Sequence, residues 1–377
     1  MDGSLRLGKL FGIPIELHWT FLLVIPLFAW IIGTQIELTT VLLSEIFGVS
    51  IDLTLIQSGF VPYLLGAAVS LGLFAGVLIH EVAHSVVALR NGMKINGITL
   101  FLFGGVSQME ESTPDPRVEL PMALVGPVTS LVLGFISIGL MYAANVAIAD
   151  RPIAGVVIFF LAYLGLLNVI LFAFNLLPAF PMDGGRVLRA YLARRMPLPR
   201  ATKIAADVGK GFAVVFGILG LIALNPILVI IAFFIYIGAS QESSAIRYTF
   251  LLQDVTLGQI MSHDVLTVDP ATPVPQVLER MYATKHLGFP VIERGALVGM
   301  VTLDDIHRRN PIDREALLVR DVMHRGAIAL PPESPVVEAL RVMSAENIGR
   351  VPVVANGELQ GIVTRTDIMK VVELRET

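Results

Sequence analysis

Residues 61–89 form an apolar run long enough to cross a membrane, and inside it stand His80, Glu81 and His84, in the order His-Glu-Val-Ala-His. A helix needs about 20 such residues to span a hydrocarbon core of about 30 Å. On that helix the two imidazoles, four residues apart, project from one face and can hold one metal ion. Glu81 lies about 100° round from His80, at the edge of the face, within reach of a water at that ion. In a soluble core the same residues would read as two packed histidines and an ion-paired glutamate. In lipid, ionisable groups are costly and mark function. His-Glu-x-x-His is the arrangement of zinc-dependent hydrolysis: two ligands with a general base between them.

The rest of the composition agrees with a membrane setting. Apolar residues make up 55% of the 377-residue chain and charged residues only 15%, against about 25% charged in an ordinary soluble domain. The charge is uneven: residues 10–90 and 119–245 are poor in it, and the last part resembles a soluble sequence. A net charge of −4 argues against nucleic acid as a partner. There is no cysteine, which removes disulfides and thiolate-ligated zinc and leaves any metal to histidines and carboxylates. The first apolar run is too long, and lacks the small-residue cleavage site, for a removed signal peptide.

Six spans are expected, at about 14–33, 61–89, 120–144, 153–177, 211–223 (extended back toward Ile204) and 226–241. Residues 34–60 contain Glu37, Glu45 and Asp52 but no lysine or arginine, which suits a non-cytoplasmic loop. The second span ends at Arg90, Asn91, Gly92 and Lys94, a glycine stop with positive charge. Between Arg186 and Lys210 stand Arg189, Arg194, Arg195, Arg200 and Lys203 with Asp207 as the one acid, the mark of a cytoplasmic loop facing anionic headgroups. Both termini then fall in the cytoplasm of a multi-pass protein of the cell membrane. Residues 95–111 are β-rich, broken at Gly104-Gly105, and too short for a helical span. They predict a hairpin, either a plain interfacial one or one whose edge pairs with an extended peptide. Pro127, within the third span, either frees backbone groups for neighbouring helices or bends the helix.

From about Leu252 the pattern turns to soluble α/β and repeats at an offset of 62: Met261 matches Met323, Pro290-Val291 matches Pro352-Val353, and Thr302 and Asp305 match Thr364 and Asp367. Each unit reads strand, helix, strand, glycine turn, strand, helix. The expected division is a membrane domain over 1–245 and repeats over 252–310 and 315–374.

A zinc site needs a third protein ligand. The candidates are His18, the histidines of the repeat (His263, His286, His307 and His324) and Asp183, which follows two prolines and precedes Gly184-Gly185 at the inner end of the fourth span. His-Glu-Val-Ala-His together with Asn175-x-x-Pro-x-x-Pro-x-Asp183-Gly-Gly resembles the site-2 protease family of intramembrane metalloproteases, and the repeat resembles a pair of CBS domains. The whole is similar to the CBS-bearing prokaryotic branch related to the sporulation-factor processing protease.

The fold class this implies is a polytopic α-helical membrane domain followed by a soluble α/β tandem CBS pair. The resemblance makes His80, His84 and Asp183 ligands of one zinc ion per chain, Glu81 the general base, and Asn175 a holder of the substrate backbone or tetrahedral intermediate. Phe103, Gly104, Gly105 and Val106 would offer a strand edge to an unwound substrate helix. The expected substrate is a transmembrane segment of a membrane-held regulator, such as an anti-sigma-type protein. In CBS pairs, Thr302, Asp305, Thr364 and Asp367 would meet the phosphate and ribose of an adenine nucleotide (ATP, ADP or AMP). The alternative there is a pair serving only as a dimerisation or tethering surface. A CBS-regulated divalent-metal transporter is a competing class, but a transport path needs no glutamate beside His80. An inactive scaffold relative would not require His80, Glu81, His84 and Asp183 to be intact.

Overall fold

The computed structural model describes residues 4–101, 104–109, 115–310 and 312–376, and the chain divides into two compact units, Met1–Ile246 and Arg247–Thr377. The first unit begins with β1 (Ser4–Leu10) and β2 (Ile13–His18), a hairpin whose two-residue turn, Phe11-Gly12, has both φ angles positive at 52° and 82°. Positive φ at both positions is what a right-twisted hairpin demands. This corrects the first expected span: residues 13–18 alternate Ile-Pro-Ile-Glu-Leu-His, the period of a strand. The helix starts later, as α1 (Phe21–Thr34), and bends by 75° into α2 (Ile36–Phe47). The expected outer loop is therefore largely helical, with α2 closed by Gly48 at φ 64° and followed by the short α3 (Leu53–Ile56).

Next come α4 (Val61–Arg90), the hairpin strands β3 (Ile95–Phe101) and β4 (Gly104–Met109), α5 (Pro116–Ala147) and α6 (Ala154–Asn175). The segment after α6 leads into a separate amphipathic helix, α7 (Asp183–Ala193), and then α8 (Leu198–Ile222) and α9 (Pro226–Leu252). Among the described residues, five helices are long and apolar enough to cross a membrane, or six spans if the bent α1–α2 pair counts as one. Pro127 does not break α5, which starts at an Asp115 cap holding the Arg117 amide at 2.9 Å. Small residues bring the spans together, as expected where lipid gives no hydrophobic drive. A methyl at Gly165 on α6 would come within 3.2 Å of the Gly134 carbonyl oxygen on α5.

The four strands form one sheet in the order β1-β2-β3-β4, antiparallel except where β2 runs parallel to β3. Its central strands press Ile13, Ile98 and Leu100 against Phe21 and Val24 of α1 and Phe74 and Val82 of α4. One edge, β4, is thereby laid along α4 beside the histidines.

The second unit repeats itself. α10 (Leu257–Ile260), α11 (Val274–Thr284), β5 (Gly288–Glu293), β6 (Ala296–Thr302) and α12 (Leu303–His307) are followed by α13 (Val319–Val322), the two-residue β7 (His324–Arg325), α14 (Val336–Ala345), β8 (Arg350–Ala355), β9 (Glu358–Thr364) and α15 (Arg365–Glu376). The strands run β5-β6-β9-β8, with β7 on β6. The expected leading strand of each repeat is reduced to a single parallel bridge, Val268 with Val291 and Leu330 with Val353, at the same offset of 62.

Candidate metal centre

His80 and His84 lie on the inward face of α4, only 4% and 5% exposed. Asp183 opens α7 and reaches both. Its Oδ2 is 3.1 Å from His80 Nε2 and 3.2 Å from His84 Nε2, and the two Nε2 atoms are 3.1 Å apart. Three donor atoms thus form a near-equilateral triangle. A tetrahedral zinc site with metal–donor distances of about 2.0–2.1 Å has donor–donor edges of about 3.3 Å. The set of two imidazoles and one carboxylate fits such an ion in type and in spacing, and it leaves the fourth corner open.

The other ring nitrogens hold both rings in place, and for His84 the contact fixes the tautomer. His84 Nδ1 donates to the Met122 carbonyl oxygen at 2.6 Å. A carbonyl accepts only, so the proton sits on Nδ1 and Nε2 keeps its lone pair for a metal. His80 Nδ1 pairs with the buried Ser130 hydroxyl at 2.9 Å. Both partners come from α5, where Met122, Gly126 and Ser130 follow one another at four-residue intervals and so share a face. Gly126 faces the imidazoles themselves: a methyl there would come within 2.6 Å of His80 Nε2 and closer still to His84. The motifs name none of these three residues, and the four-residue stripe is the signal that could have found them.

Asp183 is delivered by tight backbone packing. Gly184 sits on the Leu176 and Leu177 carbonyls, and a methyl at Gly185 would lie 2.5 Å from the Phe180 nitrogen. The double glycine therefore lets the buried Ala179–Phe180 segment fold beneath the first turn of α7. A buried ion cluster ties that helix down. Arg189 of α7, which the sequence groups with a positive cytoplasmic loop, is instead 3% exposed. It donates from Nε to Glu119 of α5 at 2.9 Å, and from its terminal nitrogens to Glu119 and to Glu242 of α9.

Glu81 lies against the sheet: a methyl at Gly105 of β4 would be 3.2 Å from Glu81 Cδ. Gly104, Gly105 and Val106 belong to that edge strand, pairing inward with Phe101, Leu100 and Thr99; Phe103 lies outside the described residues. Asn175 ends α6 and donates its side-chain amide to the Leu171 carbonyl at 3.1 Å. It stands eight residues before Asp183 in the chain, outside the three-atom cluster. Among the described residues, that cluster joins only His80, His84 and Asp183. His18 instead pairs with the Thr20 hydroxyl at 2.8 Å, and the remaining histidines belong to the second unit.

In the second unit the paired Thr and Asp residues form two nearly identical capping boxes. Thr302 donates to Asp305 Oδ2 at 2.6 Å and Thr364 to Asp367 Oδ2 at 2.7 Å, while the backbone amides of Asp305 and Asp367 return to the threonine oxygens at 3.2 and 3.3 Å. Arg350, unmarked by any motif, links the repeats by donating to the Gly288 carbonyl at 2.6 Å, its own counterpart at the offset of 62. Burial pushes its guanidinium below the usual value.

Comparison with known proteins bears on both units. The sequence profile of Peptidase family M50 matches residues 68–149 and 142–216, and that of the CBS domain matches residues 257–310 and 319–374. The chain is 34% identical to a zinc metalloprotease of Methanocaldococcus jannaschii over 379 residues, covering 100% of this chain and 99% of the relative. It is 26% identical to stage IV sporulation protein FB of Bacillus subtilis over 142 residues, 37% of this chain and 46% of that protein. Of solved structures, a site-2 protease from M. jannaschii is similar at 36% identity and a TM-score of 0.44, over 64% of this chain and 95% of the other. With a full-length zinc metalloprotease relative and the two histidines and aspartate in ligand spacing, the chain belongs to peptidase family M50, as a site-2-type metalloprotease that carries a CBS pair.

Proposed function

We propose that this protein cleaves membrane-spanning segments of other proteins within the bilayer, with His80, His84 and Asp183 holding one zinc ion and Glu81 serving as general base. The observation that carries this reading is the donor triangle of 3.1–3.2 Å edges, with Glu81 beside it and β4, the end strand of the sheet among the described residues, against Glu81. A bound zinc ion would supply Lewis acidity toward the scissile carbonyl and lower the pKa of a water. The chain's own groups do the rest. Met122 and Ser130 orient the imidazoles, and the Met122 carbonyl keeps His84 in the tautomer with its proton on Nδ1. Glu81 takes a proton from the attacking water and returns it to the leaving amine.

A helical peptide bond is shielded by its own hydrogen bonds, so substrate must be extended before attack. The outer edge of β4, at Gly104, Gly105 and Val106, gives an extended segment a backbone to pair with, and the missing side chain at Gly105 keeps that edge close to Glu81. Asn175, at the end of α6, is assigned to hold the substrate backbone or the tetrahedral intermediate. The substrate class is a membrane-held regulator or anti-sigma-type protein. Both termini lie in the cytoplasm of the cell membrane, a reading supported by the positive residues after α4 and α6.

The Gly-x-Val-Thr-x-x-Asp pattern, present twice, supports binding of an adenine nucleotide (ATP, ADP or AMP) by the CBS pair at Thr302, Asp305, Thr364 and Asp367. Such binding would bias the protease through a coupling between sites, with dimerisation through the pair as a second use of that unit. Calorimetry with the purified chain tests this, and absence of heat with all three nucleotides would leave the dimerisation role.

The decisive experiment is cleavage of a panel of single-span membrane proteins by the reconstituted protein, with zinc, with chelator, and as Glu81→Gln. The expected result is chelator-sensitive cleavage that falls by about 10²–10⁴-fold in Glu81→Gln while zinc content is unchanged. Undiminished cleavage by zinc-loaded Glu81→Gln would remove the role given to Glu81.

A further inference from the structure

We propose that the β1–β2 hairpin is an interfacial anchor that lies on the membrane surface, apolar face toward the acyl chains and polar face, with Lys9, toward the headgroups. The register carries the argument. Directly opposed residues of an antiparallel pair share a face. Leu5 faces Leu17 and Leu10 faces Ile13, which puts both leucines on the face that β2 packs against α1 and α4. Arg6 opposes Glu16 and Lys9 opposes Pro14, on the other face. A bulge between Arg6 and Gly8 makes this possible: positions 5 and 10 are an odd number of residues apart and would fall on opposite faces of a regular strand, and the extra residue, Leu7, brings them into phase. The helices that bury Ile13 do not cover Leu5 and Leu10 of β1. Leu5 and Leu10 are 58% and 40% exposed on a surface continuous with one pressed onto membrane spans.

The tip breaks a local rule in the same direction. Phe11 adopts φ 52° in the turn, a conformation that favours glycine or asparagine over a bulky side chain, and it is 73% exposed. Nothing in the described fold packs on it enough to account for a phenylalanine there, whereas an amphipathic surface dipping into lipid does. Depth follows from the backbone. The outer edge of β1 has no strand partner among the described residues, and unpaired strand edges do not lie in hydrocarbon. The hairpin therefore sits at the hydrated headgroup and glycerol level, where Lys9 meets lipid phosphates while Arg6 is paired with Glu16 at 3.1 Å on the same face. Trp19, exposed between β2 and α1, marks the same level.

The absence of native cysteine makes the test direct. Leu5→Cys and Lys9→Cys, each labelled with an environment-sensitive nitrobenzoxadiazole probe, are reconstituted as full chains in vesicles of phosphatidylcholine and phosphatidylglycerol. The expected result is a blue-shifted probe at position 5, quenched by lipid-borne spin labels and shielded from iodide, with the probe at position 9 open to iodide. Equal iodide access at both positions overturns the proposal. Oxidative cross-linking of Leu5→Cys between copies also overturns it, by giving the face to a second chain. Phe11→Gly, which suits a positive φ and so spares the fold, is expected to roughly halve lipid quenching at position 5. Unchanged quenching there would overturn the role given to the tip.

Discussion

The polar residues of the two units are satisfied in opposite ways. In the membrane unit, His80 and His84 meet Asp183 from 103 and 99 residues away, and their outer nitrogens meet Ser130 and Met122 from 50 and 38 residues away. In the CBS unit, Thr302 and Thr364 meet their aspartates three residues along the chain. A local capping box serves the start of its helix whether or not a ligand binds. A buried convergence of two imidazoles and a carboxylate from distant segments has no such local use, and in a bilayer its desolvation needs a compensating charge. Long-range pairing alone does not mark chemistry, since Arg189 meets Glu119 from 70 residues away to hold α7 in place; what sets the histidine cluster apart is that its three converging groups are all metal donors.

Gly126→Ala tests the contrast most severely. Its methyl would have to displace both imidazoles, so zinc content should fall by more than the roughly 10–100-fold in affinity typical of losing a second-shell partner. A methyl added at Gly139 on the same helix would meet nothing within 4 Å, so Gly139→Ala should retain full zinc and gain about 0.5–1 kcal/mol of helix stability. Metal analysis and thermal unfolding of the two variants compare site and scaffold within one helix. Equal zinc loading in both would break the contrast.

Arg189→Met addresses the long-range clamp between Glu119 on α5 and α7. Removing one partner of a buried ion cluster leaves an uncompensated carboxylate and costs about 3–5 kcal/mol. Loss of thermal stability, with part of it regained in the Arg189→Met, Glu119→Gln double variant, is the expected reading of a double-mutant cycle. Ser130→Ala is milder: the fold keeps a small buried side chain, and zinc affinity in a chelator competition should weaken by about 10–100-fold.

These contacts also mark where the sequence could be read and where it could not. The spacing of His80 and His84 fixes their shared face on any helix, and the glycines after Asp183 announce a close backbone approach. The Met122 contribution is a backbone carbonyl, to which side-chain identity is blind. Arg189 looks like its neighbours Arg194 and Arg195 until α7 is folded against α5, because a run of positive charge says which side of the membrane a loop occupies, not which arginine turns inward. Residues 13–18 have a period of two in plain view, but an apolar run leading into a helix draws the eye to span length. The leading strand of each CBS repeat shrinks to one bridge because pairing, which sets strand length, is a tertiary matter.

Thr302→Ala and Thr364→Ala carry the smallest expected effect and bear on the local side of the contrast. Each removes one cap whose hydroxyl both donates to an aspartate and accepts from its amide, worth about 1 kcal/mol. Because the two boxes agree within 0.1 Å in every such distance, the two variants should lose the same stability in chemical denaturation without added nucleotide. Nucleotide protection against unfolding is a separate quantity. If it is lost in one variant and kept in the other, one capping box doubles as a ligand site and the other does not, and a local contact has acquired the kind of function that the membrane unit builds only from distant ones.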